Sequence, residues 1–121
     1  MEFALVVPLL LLLLLGILQY SYLFWSKETA AATAREAARR YAVGTQQACT
    51  VQEAKDRAAP AALGAVTVSA PPTAPRVGDI ISVTVSFQGL DVHLLPIPDG
   101  GWISETVQVR VESVPATPRA C

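Results

Sequence analysis

The first 26 residues contain a single charged residue, whereas the remainder mixes polar and apolar positions. Residues 3–26 form an uncharged segment of 24 residues. As a helix this segment would rise about 36 Å, more than the roughly 30 Å hydrocarbon core of a bilayer. Four aromatic residues, which favour the membrane–water interface, gather at its end: Tyr20, Tyr22, Phe24 and Trp25. The pattern predicts a retained membrane-spanning helix, because a cleaved signal peptide has a shorter apolar region and a small-residue cleavage site.

The helical pattern continues beyond this segment. The stretch "SKETAAATAREAARRYAVG" is rich in Ala, lacks Pro and ends at Gly44, a residue typical of a helix C-terminus. We therefore predict one helix over residues 3–43. Small residues at helical spacing form a stripe that can receive a packed sheet: Ala30, Ala34, Ala37, Ala38 and Tyr41. Glu36 and Arg40 have the i, i+4 spacing of an ion pair.

A second, shorter helix is predicted over residues 51–59. Thr50 and Glu53 have the spacing of a capping box at a helix start. Pro60 should end the helix or bend it, because proline cannot continue the hydrogen-bond pattern.

The C-terminal half changes to the period-two alternation of β-strands. The stretches "AVTVSA", "DIISVTVSFQ" and "ISETVQVRVES" are rich in β-branched residues that alternate with polar ones. They predict three strands with one solvated face, packed on the second half of the long helix. The predicted class is α+β, divided into a transmembrane and assembly helix (1–26), a helical extension with a second helix (27–64) and a small antiparallel sheet domain (65–121).

Charge and candidate chemistry narrow the functional classes. With 9 Lys plus Arg against 10 Asp plus Glu, no net field favours nucleic acid. The basic ridge of Lys27, Arg35 and Arg39 is either a solvated helix face or a site for anionic headgroups or an acidic partner. His93 is the only histidine, and no motif supplies a nucleophile, a phosphate loop or clustered metal ligands. We therefore expect no enzyme activity, cofactor or metal site.

The stretch "VHLLPIP" adds exposed apolar side chains to a predicted loop. Leu94, Leu95 and Ile97 either cover the sheet edge or contact another subunit.

Several stretches of the sequence resemble the TadE family. They are "EFALVVPLLLLLLLGILQYSYLFW", "AAATAREAARRYA", "GDIISVTVSF" and "TVQVRVES", of which "EFALVVP" and "REAARRYA" are the most specific. The family consists of small pilin-like proteins of the tight-adherence (Tad, or Flp) pilus systems. The resemblance implies a pilin-like fold and a minor pilin or pseudopilin acting in pilus assembly. The implied partners are the lipid bilayer, other Tad components (major pilin, other minor pilins, membrane platform) and a prepilin peptidase acting on a precursor.

The resemblance also gives Glu2 a role, because it matches the family's glutamate near the mature N-terminus. A carboxylate at the edge of hydrocarbon is costly unless it is paired, and a neighbouring subunit's N-terminal ammonium would pair with it. The alternative is a solvated residue stabilised by the helix dipole. No basic leader or small residue precedes Glu2, so we expect the chain to start inside the family's mature region. Pro8 is either a hinge for filament packing or a mild bend.

The orientation of the predicted span decides whether the two cysteines lie in a compartment that permits a disulfide. Basic residues follow the span, and the positive-inside rule alone would place the C-terminal part in the cytoplasm. The resemblance instead places that part outside the bacterial cytoplasmic membrane or on a surface pilus. There Cys49 and Cys121 could form a disulfide that closes a loop of 73 residues, worth about 4 kcal/mol in the chain-entropy model. The alternative is two free thiols.

A second functional class fits the same elements. A single-pass membrane-anchored extracytoplasmic binding module would share the span, the sheet and the disulfide without entering a filament. Shearing separates the two classes, because only a pilin should appear in a sheared pilus fraction.

Overall fold

The computed structural model describes residues 2–71, 75–91, 96–117 and 121. Two α-helices are followed by three strands, with two short 3₁₀ turns between them. The elements are α1 (Glu2–Ala42), α2 (Gln47–Ala58), a 3₁₀ turn (Ala59–Ala61), β1 (Thr67–Ser69), β2 (Ile80–Gln88), a 3₁₀ turn (Pro98–Gly101) and β3 (Trp102–Arg110). This confirms the α+β prediction of a long N-terminal helix and a three-stranded antiparallel sheet.

Helix α1 is a single element of 41 residues that passes through Pro8. It ends close to the predicted position. Gly44 has a φ of 84°, and its backbone N–H donates to the Tyr41 carbonyl at 3.1 Å. Glycine is favoured there because the left-handed conformation penalises a side chain.

Helix α2 begins four residues before the predicted start. It starts at Gln47, so Thr50 lies inside its first turn. The Thr50 hydroxyl donates back to the Gln46 carbonyl at 3.1 Å, and the Thr50 N–H donates to the same oxygen, also at 3.1 Å. The capping-box interpretation was wrong because the Thr50 side chain donates to the carbonyl of Gln46, the residue before the helix, and does not accept from a free N–H at the helix start. Pro60 lies in the 3₁₀ turn that ends the helix, as predicted.

The sheet has the strand order β1-β2-β3, with both pairs antiparallel. The predicted alternation on β2 is confirmed, since its four inward side chains are buried: Ile81, Val83, Val85 and Phe87. The opposite face carries hydroxyls that pair across the strands, such as Thr84 and Thr106, whose oxygens lie 2.8 Å apart.

The core lies between this sheet and the second half of α1. Ala30, Ala34 and Ala38 are fully buried, and the small-residue stripe receives the sheet as predicted. Small side chains allow close approach of the strands, so Phe87 and Val83 are buried without residual exposure. Each such apolar side chain contributes about 1.5–3 kcal/mol to stability.

The core runs along α1 as three adjoining clusters. Leu23 lies in the cluster of Phe87 and Ile103, Ala38 lies with Val83, and Tyr41 lies with Ile81 and Val111 at the far end. Strand β2 therefore runs antiparallel to α1, and β3 runs parallel to it. The end of the sheet nearest to the apolar half of α1 is the end at Phe87 and Ile103.

Candidate membrane and assembly surface

The first half of α1 presents an apolar surface that nothing in the described chain covers. Its large apolar side chains are 47–81% exposed: Phe3, Leu5, Val6, Leu9, Leu10, Leu11, Leu12, Leu13, Leu14, Leu15, Ile17 and Leu18. Contiguous apolar surface on this scale marks a site that is covered by lipid or by another protein. By length and composition the helix can cross a membrane. The apolar helix therefore indicates membrane anchoring.

Glu2 is the first residue of α1, and Pro8 lies about 1.7 turns further along. The two cysteines lie near the other end of α1, close to Arg40, and the helix is about 60 Å long at 1.5 Å per residue. The structure therefore does not bring the predicted site residues into one cluster. Glu2 and Pro8 lie near one end of α1, and the two cysteines lie near its other end.

Two of the predicted interface aromatics also attach the C-terminal part to the helix. The Tyr20 hydroxyl donates to the Pro96 carbonyl at 3.2 Å, and the Tyr22 hydroxyl donates to the Ala61 carbonyl at 3.0 Å. The Tyr22 and Trp25 rings pack with centroids 5.6 Å apart. The aromatic cluster thus joins the span to the packed part of the molecule.

Buried polar residues on the same helix were missed by the sequence analysis. Gln19 and Ser26 are buried in α1, on the face that continues into the Ala stripe. The sequence could have indicated that Gln19 is buried, because it is the only amide residue in the uncharged segment. Packing on α1 therefore starts within the apolar segment, near its C-terminal end.

An ion-pair network joins the far half of α1 to α2. Arg40 Nε donates to Glu36 Oε1 at 2.8 Å, which confirms the predicted pair, and Arg40 also pairs with Glu53 of α2. Arg57 Nη2 lies 2.9 Å from the other Glu53 oxygen. The hydrogen bond from Arg40 lowers the pKa of Glu36 below its usual range. The Glu53 contacts were not predicted, since they require α2 to lie against α1.

Comparison with known proteins identifies the first part of the chain. A family model described as TadE-like protein matches residues 1–39. The match covers the N-terminal third of the chain, and we call these residues the TadE-like segment. The resemblance inferred from the sequence is confirmed over these residues, which include the whole exposed apolar surface. No curated protein matches the chain, and no solved structure matches it.

The TadE-like segment coincides with the half of α1 that the sheet leaves uncovered and continues into the covered half. Helix α1 has a bare first half and a second half that carries a small sheet, and the matched residues include Glu2 and Pro8. The family match suggests a pilin-like protein associated with Tad pili.

The cysteines lie beyond the TadE-like match. Cys49, near the start of α2, and Cys121 lie at disulfide distance, with their Cα atoms 5.5 Å apart. Cys49 is buried, and Cys121 is exposed. This placement suits the predicted bond, which would tie the chain terminus to α2.

The remaining candidate residues fall into two groups. Lys27, Arg35 and Arg39 lie within the matched residues 1–39 as exposed side chains of α1, which leaves both interpretations of the basic ridge open. His93, Leu94 and Leu95 lie outside the described residues. Ile97 is partly buried and packs against the cluster that contains Phe87. Among the described residues, no group of three or more His, Cys, Asp or Glu side chains is placed to hold a metal ion.

Proposed function

We propose that this protein is a minor pilin or pseudopilin that acts in the assembly of a Tad (Flp) pilus, as a structural rather than a catalytic component. The observation that carries the proposal is the division of α1. One continuous helix has a bare apolar half, within the TadE-like segment, and a half covered by the chain's own sheet. Such a helix can exchange lipid contacts for contacts with other apolar helices while the packed part stays unchanged.

Glu2 and Pro8 have distinct roles in this proposal. An ionised Glu2 carboxylate at the start of the apolar surface pairs with the N-terminal ammonium of a neighbouring subunit and sets the axial register. Residues 9–15 supply the apolar contacts of the helical bundle. Pro8 removes one helical hydrogen bond and acts as a hinge where helices pack.

The proposed partners follow from this assembly role. They are the lipid bilayer, the major pilin and other minor pilins, the membrane platform, and a prepilin peptidase that acts on a precursor. The sheet lies outside the cytoplasmic membrane, where a Cys49–Cys121 disulfide is stable. In a filament the sheet presents a surface to neighbouring subunits.

The experiment is Glu2→Ala in the native host, with Glu28→Ala as the matched control. Both substitutions remove a carboxylate from α1, but Glu28 is exposed and lies beyond the apolar segment. We expect Glu2→Ala to leave the protein in the membrane fraction while it lowers the number of pili and the amount of protein in the sheared fraction. Glu28→Ala should behave as the unmodified protein. Normal pilus numbers in Glu2→Ala would contradict the register role.

The sheared fraction also tests the alternative of an anchored binding module. If the unmodified protein stays entirely with the membranes after shearing, and N-terminal peptide mass spectrometry shows no processing, the anchored module replaces the pilin. Recovery in the sheared fraction, with an N-terminus produced by a cut after a small residue, supports the pilin.

A further inference from the structure

One end of the sheet carries large apolar side chains that are exposed. Leu63 is 60% exposed, Trp102 is 50% exposed and Leu90 is 40% exposed. The three residues come from different parts of the chain: the connection after α2, the start of β3 and the loop after β2. The fold therefore gathers them, and no local pattern in the sequence does so.

Backbone pairing places these residues at the same end. The Leu63 N–H donates to the Gln88 carbonyl at 2.9 Å, and Gln88 is the register partner of Trp102. Leu90 follows one residue after Gly89, whose N–H donates to the Gly101 carbonyl at 2.9 Å. We name Leu63, Leu90 and Trp102 the basal apolar residues.

This end lies level with the aromatic cluster of α1. The Tyr22 hydroxyl donates to the carbonyl of Ala61, which lies two residues before Leu63. The Tyr20 hydroxyl donates to the carbonyl of Pro96, which lies in the loop between Leu90 and Trp102. A hydrocarbon core of about 30 Å measured from Phe3 ends after about 20 helical residues, near Tyr22. The basal apolar residues therefore reach the height at which α1 leaves the hydrocarbon.

The charges at this end suit a lipid interface. In the described residues 61–66, 88–91 and 96–102, the only charged side chains are Asp91 and Asp99, and Asp91 is half-buried. The described residues at this end carry no basic side chain and so give no attraction to anionic headgroups. Burial of apolar side chains, with Trp at headgroup depth, is the interaction that remains.

We propose that the basal apolar residues enter the interfacial layer of the bilayer that α1 crosses, so that the sheet rests on the membrane in one orientation. The proposal rests on the membrane anchoring of α1 and does not require a pilus. The partner is the lipid surface itself. It is favoured over a second subunit because the three exposed residues lie at the end of the sheet that is level with the aromatic cluster of α1.

The test places a single tryptophan at a known height in the full chain, reconstituted into phosphatidylcholine vesicles. The chain has two tryptophans, Trp25 and Trp102. In Trp25→Phe, Trp102 is the only reporter. Its emission is measured in vesicles whose lipids carry bromine near the headgroup end or near the methyl end of the acyl chain, and with aqueous iodide. We expect a blue-shifted maximum, stronger quenching by the shallow bromine than by the deep bromine, and protection from iodide.

A matched control moves the reporter along the same face of the same strand. Gln108 is exposed and lies six residues beyond Trp102, about 20 Å further from the membrane at 3.3 Å per residue. The variant Trp25→Phe/Trp102→Phe/Gln108→Trp should show no bromine quenching and full access to iodide. Circular dichroism of each variant checks that the fold is retained.

A third variant separates this proposal from the anchoring of α1. In Trp102→Phe, Trp25 reports the insertion of the helix. Bromine quenching of Trp25 without quenching of Trp102 would overturn the membrane contact of the sheet while leaving anchoring and the pilus role intact. If Trp102 is protected from iodide but not quenched by bromine, a second subunit covers it and the lipid proposal is also overturned. If neither tryptophan is quenched by bromine, α1 does not insert and both conclusions fail.

Discussion

The two halves of α1 share one secondary structure and have opposite surroundings. In the first half, large side chains such as Leu10 and Leu13 remain about half exposed or more. In the second half, Ala30, Ala34 and Ala38 are fully buried beneath the sheet. The hydrophobic effect acts on both halves, but only the second half is covered by the same chain.

Side-chain size explains the difference between the halves. Leucines project apolar surface outward over the full circumference, as expected for a helix in lipid or in a helical bundle. Alanines bring the helix backbone close to the strands, so that the larger residues of the sheet fill the core. The first half is therefore built for surroundings that are not part of the chain, and the second half is complementary to one particular sheet.

The largest expected effect comes from removing the main core side chain of the packed half. Phe87→Ala should lower the free energy of unfolding by about 3–5 kcal/mol, because it leaves a cavity against Leu23 and the Ala stripe. The measurement is urea unfolding of the full chain in detergent micelles, followed by near-ultraviolet circular dichroism. Leu12→Ala in the bare half is the control and should change that free energy by less than about 0.5 kcal/mol. If Phe87→Ala and Leu12→Ala lower the free energy of unfolding equally, the packed half of α1 contributes no more to stability than the bare half.

The next effect concerns the link between α2 and the chain terminus. If Cys49 and Cys121 are bonded, reduction should lower the free energy of unfolding by about 2–4 kcal/mol, because the open chain gains conformational entropy when unfolded. Urea unfolding with and without reductant measures the loss, and non-reducing peptide mapping detects the cross-linked peptide. Cys49→Ser/Cys121→Ser should be insensitive to reductant. A midpoint that does not respond to reductant in the unmodified protein, with no cross-linked peptide, would leave two free thiols.

The smallest effect tests the Ala stripe directly. Ala30→Leu should lower the free energy of unfolding by about 1–3 kcal/mol, because a larger side chain has no space between α1 and the sheet. Ala32→Leu makes the same change two residues away on the exposed face and should alter stability by about 0.5 kcal/mol or less. The same urea assay compares them. If Ala30→Leu is as well tolerated as Ala32→Leu, close approach of the sheet is not what the stripe provides.

The accuracy of the sequence predictions depended on how local their signals were. The long helix and the inward face of β2 were predicted correctly, since each rests on a periodic pattern of neighbouring residues. The start of α2 was wrong, because Thr50 hydrogen-bonds back to Gln46 in a way that the residue spacing does not reveal. For the candidate surface, the exposed apolar half was predicted from composition. The hydrogen bonds of Tyr20 and Tyr22 were not, because their partners lie 76 and 39 residues away.

By itself the sequence determined the element types, the apolar span and the side of the helix that the sheet covers. These properties follow from residue size, hydrophobicity and period over a few turns or strand residues. Only the tertiary structure decided that Arg40 reaches Glu53, that Cys121 lies beside Cys49, and that the basal apolar residues stand level with Tyr22. Such contacts join segments far apart in the chain, and their geometry is set by how the sheet and α2 pack on α1 rather than by any local preference of the residues involved.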